Sequence, residues 1–218
     1  MQTAPIKPLK PYFQVLDDLD DFVDWKQFFG NDNPVELDIG CGRGLYIFNA
    51  AVANPQINYV GLEIDYREGR RTATRFMKRE MPNARVIGGD CKVFLSKMIA
   101  RNSVSAAHVY FPDPWWKKRH HKRRLFTDDF CDLLADVVMP GGHVHSWTDV
   151  IEYFEIIEEL MDSHADFVTC EAPTEREATH EMDYQTSFER KKRKLGLPIY
   201  RGLWQRRPLA VPPSGDDA

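Results

Sequence analysis

The sequence predicts an α/β fold, a mainly parallel sheet with helices on both faces. Three observations carry that expectation. From Val35 onward, short apolar runs alternate with longer segments of helical periodicity. Strands and helices alternating at this spacing imply right-handed crossovers between parallel neighbours. The first strand-to-helix turn, LDIGCGRG over 37–44, carries glycines at 40, 42 and 44, where backbone must approach a neighbour or a ligand closely. And 218 residues, 43% hydrophobic and 28% charged, suffice for one core of ordinary size.

The first 34 residues read as an N-terminal extension. Prolines at 5, 8 and 11 keep its start extended. Leu16, Leu19, Phe22, Val23 and Phe29 then recur at helical spacing and predict a short helix that docks on the main domain, expected over 35–207. VELDIG (35–40) reads as a buried strand and 44–53 as a helix. NYVGLEI (58–64) is a second strand, and 66–81 a charged helix that stops before Pro82. ARVIGGD (84–90) is a third strand, followed by a helix over 92–100, and AAHVYFP (106–112) is a fourth. A helix over 127–138 is ended by MPGG, and HVHSWT (143–148) is the fifth strand. The helix over 150–163 places Ile151, Phe154, Ile157 and Leu160 on one face, and DFVTCEA (166–172) is a sixth strand. Residues 173–198 read as a long charged loop, of the kind that more often serves function than connection. IYRGLWQR (199–206) closes the domain as a last strand, and 208–218 is a disordered tail.

Cys41, Cys91, Cys131 and Cys170 are widely spaced and form no C-x-x-C, so they read as reduced thiols, most of them in the core. No metal is expected, because no Cys or carboxylate stands at a familiar ligand spacing from a histidine. The sequence has no apolar run of transmembrane length and no signal-type apolar core near Met1, so a soluble, cytoplasmic protein is expected, with no membrane partner. The net charge of −4 argues against a nucleic-acid partner, but its distribution argues for one. Lys117–Arg124 holds six basic residues and Arg190–Lys194 five, with no acid in either run. Such runs are either solvated faces or a local anion-binding patch on an acidic body.

In the glycine loop, a dinucleotide fingerprint would need Gly or Ala at 45, where Leu45 stands. The spacing is G-x-G-x-G, with Asp38 two residues before Gly40. That pattern resembles the class I S-adenosylmethionine-dependent methyltransferases. The resemblance implies a cofactor site of Asp38, Gly40 and Gly42, with Glu63 at the second strand's end on the ribose hydroxyls and Asp90 at the third strand's end on the adenine edge. The chemistry agrees, since the cofactor carries a sulfonium and an ammonium but no phosphate. The alternative is an open-sheet protein whose glycine turns hold no ligand.

YFPDPWWKKRHHKRR (110–124) sets an acid between two prolines, beside two tryptophans and the densest positive charge of the chain. Following the fourth strand, Asp113 faces the crevice where strand order reverses. The prolines limit Phe111 and Asp113 to extended conformations, which pre-places an acceptor-only group. One of Trp115 and Trp116 is expected in the core and the other in a pocket wall, where it stacks on a base. The basic run then lies where phosphates need it.

This stretch resembles the signature of the tRNA (guanine-N7-)-methyltransferase family, usually FPDPW-x-KKRHHKRR. The match continues through Thr148-Asp149 and through Thr186, Phe188 and Glu189, from about Val35 to Gly196. It implies a Rossmann-like class I methyltransferase fold, S-adenosyl-L-methionine as cofactor and tRNA as substrate. It further implies that Asp113 is the catalytic-site acid and that Lys117, Asp149, Thr186, Ser187, Phe188 and Glu189 contact substrate. Arg119, His120, His121, Lys122, Arg123 and Arg124 would contact tRNA. The family methylates N7 of a guanine, typically position 46 in the variable loop. Three departures stand out: Asp38 replaces the usual Glu, Ser187 replaces the usual Lys, and the ending LGLPIYRGLWQRR differs. Two rival functions stay open, a methyltransferase acting on another RNA, a protein or a small molecule, and a non-catalytic RNA-binding module with a relict cofactor fold. Monomer and homodimer also both stay open.

Overall fold

A computed structural model describes residues 9–19, 22–175 and 184–208. Its eight strands form one sheet: β1 (Phe13–Val15), β2 (Val35–Ile39), β3 (Asn58–Glu63), β4 (Ala84–Gly88), β5 (Val104–Tyr110), β6 (Val138–Thr148), β7 (Phe167–Thr169) and β8 (Tyr200–Arg206). They lie in the order β1-β4-β3-β2-β5-β6-β8-β7. Every pair from β1 to β6 is parallel, while β8 runs antiparallel to both β6 and β7. Strand order reverses between β2 and β5, which opens a crevice at their carboxyl ends. The expected mainly parallel α/β fold is the one observed.

The helices are α1 (Trp25–Phe29), α2 (Leu45–Ala53), α3 (Tyr66–Lys78), α4 (Cys91–Lys97), α5 (Asp128–Val137), α6 (Ile151–Ser163) and α7 (Ser187–Lys194). Their starts follow from local chemistry. Asp65 accepts from Arg67 N–H at 2.9 Å to cap α3, Asp90 from Lys92 N–H at 2.8 Å to cap α4, and Thr127 from Phe130 N–H at 3.3 Å to cap α5. One buried cluster joins α4, α5 and α6 to the sheet through Phe94, Phe130, Leu134, Tyr153 and Ile157. Another joins α2 and α3 through Ile47, Ala73 and Phe76. Two covered faces explain why β2 to β5 read as nearly unbroken apolar runs.

Four expectations need correction. Residues 16–29 do not form one helix: Leu16–Asp18 is a 3-10 turn, and α1 starts only at Trp25, where Asp24 accepts from Lys26 and Gln27 N–H. Just before that turn, β1 adds an edge strand to β4, with Phe13 packed where Gly88 and Gly69 lack side chains. A Cβ at Gly88 would lie 2.8 Å from the Phe13 ring. The strand expected over 143–148 starts earlier: MPGG ends α5 as expected but already belongs to β6, whose register against β5 shifts between Val104 and Ala106. Gly142 permits that bulge, since a Cβ there would stand 2.7 Å from the Ser105 carbonyl. The charged loop over 173–198 contains a helix, α7. On α6 the buried face is Tyr153, Phe154, Ile157 and Met161, and Ile151 is 38% exposed.

All four cysteines are free; Cys41 and Cys131 are buried, whereas Cys91 and Cys170 are half-buried. Among the described residues no helix is long and apolar enough to cross a membrane, and no cluster of His, Cys, Asp and Glu could hold a metal. The expected tail lies almost wholly outside the described residues, as do the prolines at 5 and 8.

Candidate active site

The site grows from the loop that leaves β2. Gly40 N–H donates to the Leu62 carbonyl at 2.8 Å, and Gly44 N–H to that of Cys41 at 2.8 Å, which curls the chain tightly before α2. Gly40 and Gly42 hold φ of +80° and +50°, and a Cβ at either would meet no protein atom within 4 Å. The space above them is therefore open to a ligand. Glu63, at the end of β3, clamps the loop from the side: its carboxylate accepts from Gly42 N–H at 2.7 Å and from Asp65 N–H at 2.8 Å.

Above the loop lies a cavity of about 420 Å³, within the roughly 300–1,000 Å³ typical of small-molecule sites. Asp38, Gly40, Gly42, Tyr46, Tyr110, Phe111, Thr186, Ser187, Phe188 and Lys191 are among its lining residues. The structure thus brings the glycine loop and the start of α7 to one cavity, although they are distant in sequence. Asp38 is only 4% exposed, and its carboxylate makes no hydrogen bond among the described residues. Burial, followed by the charge of Glu63, pushes its carboxyl up to about 8. A buried acid facing an open cavity suits a cationic ligand, and an ammonium or sulfonium group fits it where a phosphate would not.

Asp38 gives the first prediction. Its folded-state pKa lies above the unfolded carboxyl value, so the folded protein holds the extra proton, and stability without ligand falls as pH rises from about 4 to about 8. A cationic ligand favours the ionised acid, so its affinity should rise with pH toward 8 and its binding should release a proton. Asp38→Asn should raise the melting temperature of the ligand-free protein, weaken S-adenosylmethionine binding and abolish that proton release. Calorimetry in buffers of different ionisation enthalpy checks all of this.

The other expected acids of the cofactor site, Glu63 and Asp90, do not line the cavity. Glu63 touches the loop, and Asp90 is exposed at the cap of α4. Glu63 pairs in register with Gly88, so both acids lie along the same carboxyl edge.

Beyond β5 the chain is held at both ends of the acid. Phe111 N–H donates to the Trp147 carbonyl at 2.7 Å, and Arg124 Nε donates to the Pro114 carbonyl at 2.8 Å. Asp113 itself is exposed. The expected extended backbone at Phe111 is not observed, because its φ is +53°, and Trp115 follows at +46°. Tertiary contacts override the local preference: the Phe111 ring stacks on Phe188 at 6.0 Å and 21°. Bulky residues in the left-handed region are costly and persist only where the surroundings fix them. Neither tryptophan enters the core. Trp116 is 67% exposed, and Trp115 is half-buried with Arg123 over its ring at 5.0 Å and His120 edge-on at 5.8 Å.

Lys117 precedes a 3-10 helix over Lys118–Arg123 that spreads Arg119, His121, Lys122 and Arg123 into solvent, with His120 half-buried. Arg124 differs from its neighbours. Besides holding Pro114, its guanidinium sits over Tyr153 at 4.9 Å, so it fixes the Asp113 segment.

The Thr186–Glu189 stretch acts as a helix start. Thr186 Oγ1 accepts from Glu189 N–H at 3.0 Å, and Glu189 reaches back to Gln185 N–H at 2.6 Å, a variant of the capping box. Glu189 is only 3% exposed and also meets Arg193 at 3.4 Å and Arg201 at 3.5 Å. It holds α7 to β8, and it is Thr186, Ser187 and Phe188 that face the main cavity. Asp149 likewise bonds Lys192 Nζ on α7 at 2.6 Å. Sequence reasoning missed Tyr46, Tyr110, Arg43, Glu68 and Lys191 as cavity walls. The T-x-x-E pattern is a signal that could have found α7.

Comparisons with known proteins bear on the family and the fold. A family described as "Putative methyltransferase" matches residues 32–202. A tRNA (guanine-N(7)-)-methyltransferase of Rhodopirellula baltica is 39% identical over 209 residues, covering 93% of this chain and 77% of the relative. One of Geobacter metallireducens is 32% identical over 195 residues, covering 88% and 92%. Among solved structures, the 16S rRNA methyltransferase KamB superposes with a TM-score of 0.64 at 17% identity, covering 87% of this chain and 96% of that one. A 16S rRNA (adenine(1408)-N(1))-methyltransferase of Catenulisporales acidiphilia, solved with S-adenosylmethionine, gives 0.58 at 16%, covering 86% and 92%. At such identities the two structures speak for the fold alone. The span of the family match and the identity to full-length relatives establish that this chain belongs to the tRNA (guanine-N(7)-)-methyltransferase family.

Proposed function

We propose that this chain transfers the methyl group of S-adenosyl-L-methionine to N7 of a guanine in the variable loop of tRNA. The observation that carries the reading is the juxtaposition at one sheet edge. A buried, unpartnered Asp38 lies under an open glycine loop, beside a strained, tethered acid segment and an exposed basic run.

Asp38, with the side-chain-free backbone at Gly40 and Gly42 leaving room beside it, would hold the amino-acid end of the cofactor, with Glu63 and Asp90 along the adenosine. The bound cofactor supplies an electrophilic methyl on a positively charged sulfur. N7 of guanine carries a lone pair at neutral pH, so the new N–C bond forms as the S–C bond breaks, its electron pair goes to sulfur, and no proton leaves. Positive charge moves onto the purine, and the protein's contribution is positioning and electrostatics. Asp113 is therefore an acceptor for guanine N1–H or N2–H and a counter-charge for the developing cation, not a general base. Thr186, Ser187 and Phe188 wall the same space, and Lys117 would contact the RNA from the start of the basic run. Asp149 and Glu189 act through α7, holding those walls in place.

The RNA contact has its own test. Arg119, His121, Lys122 and Arg123 are exposed on one short helix, so tRNA affinity should fall steeply with salt despite the net charge of −4. Arg123→Ala should weaken all tRNAs alike and make the slope of log affinity against log salt shallower by about one. Arg124→Ala should in addition lower the methylation rate of bound tRNA, because Pro114 loses its tether. Filter binding across a salt series checks the first result and single-turnover kinetics the second. An unchanged slope for Arg123→Ala would leave the run a solvated face.

A further inference from the structure

The two basic runs do not account for all the clustered positive charge. On the far side of the glycine loop, Arg43, Arg71, Arg75 and Thr72 line a concavity of about 340 Å³. Three guanidiniums face one carboxylate there, Glu68, which pairs with Arg43 at 3.2 Å and with Arg71. Arg75 is different. Its guanidinium is half-buried, donates to the Arg43 carbonyl and lies over the Phe48 ring at 5.4 Å, and it has no carboxylate partner among the described residues. Burial lowers its pKa, the direction expected of a cation that has lost water without gaining an anion.

Rigidity and place add to the case. Thr72 Oγ1 donates to the Gly42 carbonyl at 2.9 Å and Arg75 holds the next one, so the concavity is built onto the glycine loop. Arg43 also lines the main cavity, as does Lys191 from the basic run on α7. Positive charge thus runs from α7, past the cavity mouth, to α3.

We propose that the Arg43–Arg71–Arg75 concavity binds a phosphodiester of the RNA sugar–phosphate backbone and anchors tRNA on the side of the cavity opposite the Lys117–Arg124 run. The proposal rests on the tRNA reading above and adds a contact site to it. Phosphate contacts orient an RNA without reading its sequence. An anchor here complements the base-proximal contacts at Asp113.

Arg71→Glu is the informative variant, since Arg71 is 66% exposed and its loss disturbs no core contact. Lys26→Glu is the control: it changes net charge equally, at an exposed position by the amino end of β2. Arg71→Glu should raise the tRNA Kd about fivefold or more and flatten the salt slope by about one, equally for tRNA with and without the target guanine. Its S-adenosylmethionine affinity should stay within about twofold of wild type, as for most surface changes, and Lys26→Glu should match wild type throughout. Arg75→Gln should repeat the loss of tRNA binding. Equal effects of Arg71→Glu and Lys26→Glu would overturn the anchor while leaving the activity standing. So would inorganic phosphate that raises the melting temperature of wild type but not of Arg71→Glu, with tRNA binding unchanged between them. A wild-type protein that binds no tRNA would overturn both readings.

Discussion

Asp113→Ala should lower the single-turnover rate of methyl transfer by about 10²-fold or more, the scale of losing one preorganised electrostatic contact. The protein should still fold, because the side chain is exposed and makes no hydrogen bond among the described residues. Cofactor affinity should be close to that of wild type, since Asp38, Glu63 and the glycine loop lie elsewhere along the edge. The placement of the acid comes from its flanks: Phe111 bonded to Trp147, Pro114 bonded to Arg124, and prolines on either side. Asp113→Asn keeps the shape and loses the charge, so it should also be slow. Because N7 needs no deprotonation, the rate of bound substrate should show no rise with pH attributable to a base at this position. A fully active Asp113→Ala enzyme would remove Asp113 from the mechanism.

Glu63→Ala should weaken S-adenosylmethionine at least tenfold. Two losses combine. The ribose loses charge-assisted acceptors worth about 1.5–3 kcal/mol, and the glycine loop loses the carboxylate that fixes Gly42 and Asp65 N–H. Glu63→Gln retains one acceptor oxygen and should fall between the two proteins. Calorimetry gives the affinities, and the melting temperature without ligand separates the loop contribution from the ribose contribution. Wild-type affinity in Glu63→Ala would show that the acid serves only the fold.

The sheet was legible because a parallel strand buried on both faces leaves a run of apolar residues, and β2 through β5 have such runs. The acids at strand ends were legible for a related reason: Asp38, Glu63 and Asp90 each interrupt or end an apolar run. What escaped was decided by contacts across the chain. α7 shows almost no apolar stripe, since it is a run of Lys and Arg held by Glu189, Asp149 and its Thr186 cap. β1 is three residues long and exists because two glycines on other elements make room for Phe13. The prolines beside Phe111 predicted extended backbone, but stacking on Phe188 and the bond to Trp147 hold it left-handed. Tyr46 and Tyr110 meet at 5.0 Å in the cavity wall from different elements, a pairing no local pattern shows.

The central claim is the atom that receives the methyl group. The direct measurement is single-turnover transfer of labelled methyl from S-adenosylmethionine to tRNA transcripts that differ at one variable-loop position, bearing guanine, adenine or 7-deazaguanine. Transfer to the guanine transcript alone, with the label recovered as 7-methylguanine, is the predicted result. Equal labelling of the 7-deazaguanine transcript, which has carbon in place of N7, would contradict it.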